Sequence, residues 1–116
     1  MWQILTTKQV DEWLAKCDDK TYRLIERALT VLGEVGPRLG RPLVDTVHGS
    51  LLRNLKELRP GSSGRSEVRI LFVFDPNRNA VLLIAGDKSG QWSAWYESAI
   101  AQAEIESLHY LNGVNE

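Results

Sequence analysis

Four charged residues in the middle of the chain, Glu57, Arg59, Arg69 and Lys88, have the types and spacing for phosphate chemistry. Each lies within or at the end of an apolar, strand-like run: Leu51–Arg59, Glu67–Phe74 and Ala80–Gly86. Side chains alternate between the two faces of a strand. If Val68, Ile70, Phe72 and Phe74 face the helices, Arg69 faces the other way; if Leu58 points to the core, Glu57 and Arg59 join it. Lys88 arrives at the end of the third run. Such a group suits RNA cleavage without a metal or other cofactor. A 2′-hydroxyl must lose a proton, the pentacovalent transition state gains negative charge, and the 5′-oxygen must leave. Guanidinium forks match phosphate oxygens, and preorganised cations act where charge develops. A carboxylate can serve as base and a lysine can assist the leaving oxygen. The same pattern also describes a solvated sheet face, with Glu57 and Arg59 paired across strands, and the pattern alone leaves both readings open.

The elements that must position these residues are legible from periodicity. Trp2-Gln3-Ile4 suits a short first strand, and Thr6 with Gln9 has the spacing of a capping box. Val10, Trp13, Leu14 and Cys17 then mark one helical face. Asp18 or Asp19 can cap a second helix whose stripe is Tyr22, Ile25, Ala28, Leu29 and Leu32, ended by Gly33, Gly36 and Pro37. Gly36 to Gly49 reads as a packed connector. Pro60–Gly64 reads as a hairpin loop and Asp75-Pro76-Asn77 as a turn. A last helix is predicted over Ser93–Leu111, with Tyr96, Ala99, Ile100, Ala103 and Leu108 as its stripe. The prediction is an α+β fold: a short first strand, two N-terminal helices, a three-stranded antiparallel meander and a C-terminal helix. Helices would cover one face of the sheet and leave the other partly open.

At 116 residues, one domain spanning 1–116 is expected. A net charge of −1 argues against generic nucleic-acid binding, but the charge is unevenly spread. Residues 51–91 carry seven cationic and four acidic side chains, whereas residues 92–116 carry four glutamates and no Lys or Arg. A local positive field is therefore expected over the middle of the chain. A single cysteine, Cys17, precludes an internal disulfide and fits a reducing, cytoplasmic setting. The N-terminus lacks the pattern of a signal peptide. No stretch approaches the roughly 18 apolar residues of a membrane span, so no membrane partner is expected.

Other constellations point elsewhere. His48 and His109, with one cysteine, do not suggest a metal site. Gly61, Gly64 and Gly90 do not form a phosphate loop. Trp92, Trp95 and Tyr96 could stack on bases, although core packing of the last helix is the expectation for them.

NLKELRP (Asn54–Pro60), VRILFVFDP (Val68–Pro76), AVLLIAGDKSGQW (Ala80–Trp92) and WYESAIAQAE (Trp95–Glu104), with GPRLGRPLVDTVHGS (Gly36–Ser50) upstream, resemble HigB-type toxins. These belong to the RelE/ParE superfamily of bacterial type II toxin–antitoxin systems. The resemblance implies a RelE-like, microbial ribonuclease-like fold. It implies an mRNA endoribonuclease that inhibits translation, usually at the ribosome, and a cognate helix-turn-helix antitoxin of the HigA kind. By motif position it assigns Arg69, Glu57, Arg59 and Lys88 to catalysis. In this reading Arg69 and Arg59 bind the scissile phosphate, Glu57 acts as base or orients an arginine, and Lys88 assists charge neutralisation. Arg53, Lys56 and Arg65 would then contact RNA or ribosome. Ser89 stands where many relatives carry a second basic residue. Alternatives are a gyrase poison of the ParE type and a catalytically inactive antitoxin-binding module.

Overall fold

The computed structural model describes residues 1–61 and 64–111; Ser62 and Ser63 of the predicted hairpin loop lie outside the described residues. The elements in chain order are β1 (Gln3–Thr6), α1 (Lys8–Lys16), α2 (Asp19–Val35), a 3-10 turn (Gly36–Arg38), β2 (Val44–Thr46), β3 (Lys56–Leu58), β4 (Val68–Phe74), β5 (Asn79–Asp87) and α3 (Ser93–Leu111). The strands form one mixed sheet in the order β1-β5-β4-β3-β2, with β1 parallel to β5 and the other pairs antiparallel.

The α+β class and the β3-β4-β5 meander agree with the sequence reading, but the sheet is wider. Two strands flank the meander. β1 joins β5 in parallel, and Val44–Thr46, within what reads as a connector, pairs with β3. The predicted strand Leu51–Arg59 is shorter, at Lys56–Leu58. The chain turns over Leu51–Asn54, and Asn54 takes a left-handed conformation at φ 57° that a strand does not accommodate.

Both faces of the sheet are covered, which corrects the one-sided arrangement. Val68, Ile70 and Phe72 pack with Val10, Ile25, Ala28 and Leu32 of α1 and α2, with Phe74 against them. On the opposite face Leu71, Val81, Leu83 and Ile84 pack with Trp95, Ala99 and Ala103 of α3. Within α3 the buried set is Trp95, Ala99, Ala103 and Ser107, while Leu108 of the predicted stripe is 59% exposed. In α2, Thr21 is buried in place of Tyr22, and Gly33 lies inside the helix rather than ending it.

The start of α1 also departs from the capping box. Thr7, not Thr6, is the N-cap, and its hydroxyl accepts from Val10 N at 3.4 Å. Gln9 does not reach back; its amide bonds both Ala85 O (2.9 Å) and Ala85 N (2.8 Å). The cause is the end of β1. Its last partner on β5 is Leu82, so the following backbone groups lack a strand neighbour and need other partners. Thr7 Oγ1, donating to Leu83 O at 2.8 Å, and the Gln9 amide supply them.

β4 and β5 fall out of simple register at a bulge. Leu71 pairs with Ile84, but Phe72 pairs with Leu82, so Leu83 is the extra residue on β5. Before the bulge Val81 and Leu83 face α3; after it Ile84 does, while Ala85 joins the α1/α2 side. The bulge thus inverts the parity of β5. Gly86 comes to lie beneath α3, where a Cβ would stand 2.6 Å from Trp95 Nε1.

Candidate active site

β3 and β4 bring Glu57, Arg59 and Arg69 to the α3 side of the sheet, at the border between the part that α3 covers and the part it leaves open. Glu57 pairs with Leu71, which packs under α3, and Arg69 lies two residues along the same face of β4. Glu57 is 6% exposed. Its Oε1 lies 3.3 Å from Arg69 Nε and 4.0 Å from Arg59 Nε, and accepts from the Tyr96 hydroxyl at 2.6 Å. Arg69 also donates to Val68 O at 2.8 Å, which fixes the guanidinium near the sheet. Buried Nε atoms of Arg59 and Arg69 have ion-pair distances to this carboxylate but no aligned hydrogen bond.

Tyr96 is the member that the sequence reading assigned to packing. Burial, followed by the hydrogen bond and negative charge of Glu57, pushes its phenol up to about 12. The phenol therefore stays a donor throughout the neutral range. A group whose folded-state pKa lies above its ordinary value of 10 stabilises the fold below pH 10, and that contribution is lost as pH rises toward 12. Spectrophotometric titration should show late tyrosine ionisation, and Tyr96→Phe should remove the contribution of Tyr96 to it. A titration unchanged by the substitution would contradict this geometry.

Lys88 reaches the same face through the bulge, its backbone N–H donating to Glu67 O at 3.0 Å beyond the end of the strand. The ammonium is buried, 3.4 Å from Glu67 Oε2 and 4.3 Å from the ring centroid of Trp92. It is also 5.9 Å from the ring of Tyr96, which links it to the Glu57 cluster. Trp92, expected in the core, is 62% exposed, whereas Trp95 fills the core position.

The three outlying cations do not converge. Lys56 shares its strand face with Leu58 on the α1/α2 side, and its Nζ donates to Thr46 Oγ1 at 3.1 Å. Arg53 lies exposed in the turn before β3, not on a strand, and Arg65 lies exposed in the loop before β4. Conversely, Asp45 on β2 is a neighbour that sequence reasoning missed. It pairs with Arg41 at 3.0 Å and approaches Arg59 at 3.9 Å. A hydrogen bond from Arg41 is the main cause holding its carboxyl below the usual range. Its signal was hidden because β2 has only three residues.

The result is a buried carboxylate clamped between an arginine and a phenol, a second arginine beside it, and a lysine held by its own carboxylate. Two guanidinium groups at an open sheet border can receive a phosphate; the fixed carboxylate holds them there. A cavity of about 630 Å³ lies elsewhere, between β1, the β4–β5 turn and the end of α3, with Asp75 and Tyr110 in its wall. Its lining carries no Lys or Arg, unlike the sheet border. Among the described residues no helix is long and apolar enough to cross a membrane.

Comparison with known proteins places the chain in a family. The family described as Phage derived protein Gp49-like (DUF891) matches residues 12–107. The chain is 56% identical over 97 residues to "Putative toxin HigB2" of Mycobacterium tuberculosis, a match covering 84% of this chain and 48% of that protein. It therefore spans about half the length of that relative. It is 40% identical over 108 residues to "Putative toxin HigB3" of the same organism, covering 93% of this chain and 92% of that protein. Among solved structures, the isolated E. coli RelE toxin aligns with TM-score 0.62 at 12% identity, over 84% of this chain and 95% of that one. The archaeal RelE–RelB complex from Pyrococcus horikoshii OT3 aligns with TM-score 0.59 at 18% identity, over 78% and 97%. At those identities the likeness is one of fold, and it agrees with the helices and mixed sheet described above. The family match over most of the chain and the near full-length HigB3 relative together establish that the chain belongs to the Gp49-like family, with HigB toxins among its relatives.

Proposed function

We propose that this chain is the toxin of a type II toxin–antitoxin system and acts, as one domain, as a metal-independent endoribonuclease on mRNA. The observation that carries this reading is the buried Glu57 carboxylate held by Arg69 and Tyr96, with Arg59 alongside. Arg69 and Arg59 bind the scissile phosphate and stabilise the charge of its pentacovalent state. Glu57 takes the 2′-hydroxyl proton as general base. The new bond joins O2′ to phosphorus, the bond to O5′ breaks, and the leaving oxygen takes a proton from solvent water, to which Glu57 then returns the proton it accepted. The products are a 2′,3′-cyclic phosphate and a 5′-hydroxyl end. Lys88, tied to Glu67, adds positive potential near the phosphate rather than direct contact.

Arg53 and Arg65, exposed in the loops before β3 and β4, serve RNA or ribosome binding. A cognate helix-turn-helix antitoxin of the HigA kind neutralises the toxin in the cytoplasm. The resemblance to toxin relatives supports these partners. The test is to induce the chain with and without its neighbouring gene and map mRNA 5′ ends, then to treat RNA with purified protein, with and without ribosomes. Cleavage that persists in EDTA and leaves 5′-hydroxyl ends is the expected outcome. Dependence on added divalent metal, or 5′-phosphate ends, would overturn the mechanism.

A further inference from the structure

Trp92 is an exposed indole in an unfavourable place. Its backbone has φ 46°, a left-handed conformation that bulky L-residues rarely adopt and that persists only where the surroundings enforce it. The surroundings here are the turn Lys88–Trp92, in which Lys88 O accepts from Gln91 N (3.0 Å) and from Trp92 N (3.1 Å). The core does not require this ring, because Trp95 occupies the space over Gly86. Lys88 Nζ sits over the Trp92 ring at 4.3 Å, which holds the ring while most of it stays in solvent. From that lysine a short chain of contacts leads to Tyr96 (5.9 Å), then to Glu57 (2.6 Å), then to Arg69 (3.3 Å). An oriented aromatic surface therefore stands beside the cluster assigned above to the phosphate.

We infer that Trp92 is a nucleobase-stacking subsite, which takes the base of a nucleotide next to the scissile phosphate in single-stranded RNA. This inference rests on the ribonuclease reading and adds to it a second anchor, apolar and aromatic, beside the ionic one. Every base has a π face, so stacking is tolerant of sequence. Purines, with more area to overlap, should be held more tightly than pyrimidines at that position. The cation–π contact with Lys88 holds one face of the indole and leaves most of the ring in solvent.

The experiment measures binding of a short single-stranded RNA made uncleavable by a 2′-methoxy group at the cut nucleotide. Wild-type protein is compared with Trp92→Phe, Trp92→Leu and Trp92→Gly, and each is also tested against RNAs with one abasic position. Loss of a single stack should weaken binding roughly 10- to 100-fold in Trp92→Leu and Trp92→Gly, with Trp92→Phe close to wild type. One abasic position should weaken wild-type binding by a similar factor and have little further effect on Trp92→Leu. Trp92→Gly suits the left-handed backbone, so its Tm should stay within a few degrees of wild type while RNA binding falls. A residue needed only for structure would lose both together. Equal RNA binding by wild type and Trp92→Leu would overturn the inference while leaving the ribonuclease reading intact. Failure of the wild type to bind RNA, with or without ribosomes, would overturn both. Unchanged RNA binding alongside weakened binding of the antitoxin would assign the ring to a protein partner instead, and would also overturn the inference.

Discussion

Arg69→Ala is expected to reduce RNA cleavage by roughly 10³-fold or more and to destabilise the fold by about 3 kcal/mol. The two effects have different origins and can be separated. The side chains of Arg69 and Glu57 are 13% and 8% exposed, so removing the guanidinium leaves a buried carboxylate facing only Tyr96 and a more distant Arg59. An unpaired buried charge is more damaging than loss of the whole pair. The double variant Glu57→Gln/Arg69→Met should therefore regain most of the stability, because a neutral amide oxygen can still accept from the Tyr96 hydroxyl. It should regain none of the cleavage, since it lacks both the phosphate-binding fork and the proton acceptor. Urea denaturation and single-turnover cleavage of the same preparations provide the comparison. Cleavage near wild type by Arg69→Ala would remove the central assignment.

Gly86→Ala should have the second large effect. The added methyl carbon would meet the Trp95 indole at 2.6 Å from Nε1 and 3.0 Å from Cζ2. Trp95 is 9% exposed and packed in the core under α3, so it cannot swing aside without moving the helix. Overpacking of this kind costs about 1–3 kcal/mol. A displaced α3 also withdraws Tyr96 from Glu57 one residue further along, so cleavage should fall although no residue of the proposed chemistry has changed. The late tyrosine ionisation gives a separate readout: in Gly86→Ala it should move back toward the ordinary value of 10. A variant with wild-type stability and an unshifted tyrosine would show that Trp95 yields freely.

Much of this arrangement was legible in the sequence because it depends on simple alternation. Strand parity separated Val68, Ile70, Phe72 and Phe74 from Arg69, and the structure packs the former set on the α1/α2 side, with Phe74 half-buried at its end. The same rule put Glu57 and Arg59 on one face, and α3 follows the predicted bounds Ser93–Leu111. The failures occur where pairing partners, rather than local pattern, decide. β2 has three residues and no periodicity of its own; it exists because β3 offers an edge. The parallel partnership of β1 and β5 joins segments more than seventy residues apart. Gln9 looked like a capping residue until the end of β1 left Ala85 needing partners. Lys56 was grouped with the RNA-facing cations by its charge, but the parity of its short strand turns it away. Trp92 and Trp95 are three residues apart in the same aromatic run, and only the turn after β5 tells the exposed ring from the buried one.

The extra residue on β5 sets the phase of everything that follows it. Gly86 and Lys88 lie toward α3 because Leu83 and Ile84, consecutive in sequence, both do. The cluster is thus sensitive to counting as well as to chemistry. Between Leu82, where β1 ends, and Lys88, a change of residue type at positions other than Gly86 can be absorbed by repacking, whereas a gain or loss of one residue would turn the lysine and its neighbouring glycine toward α1 and α2. Divergence within this family should accordingly accept substitutions along β5, Gly86 apart, far more readily than changes in its length.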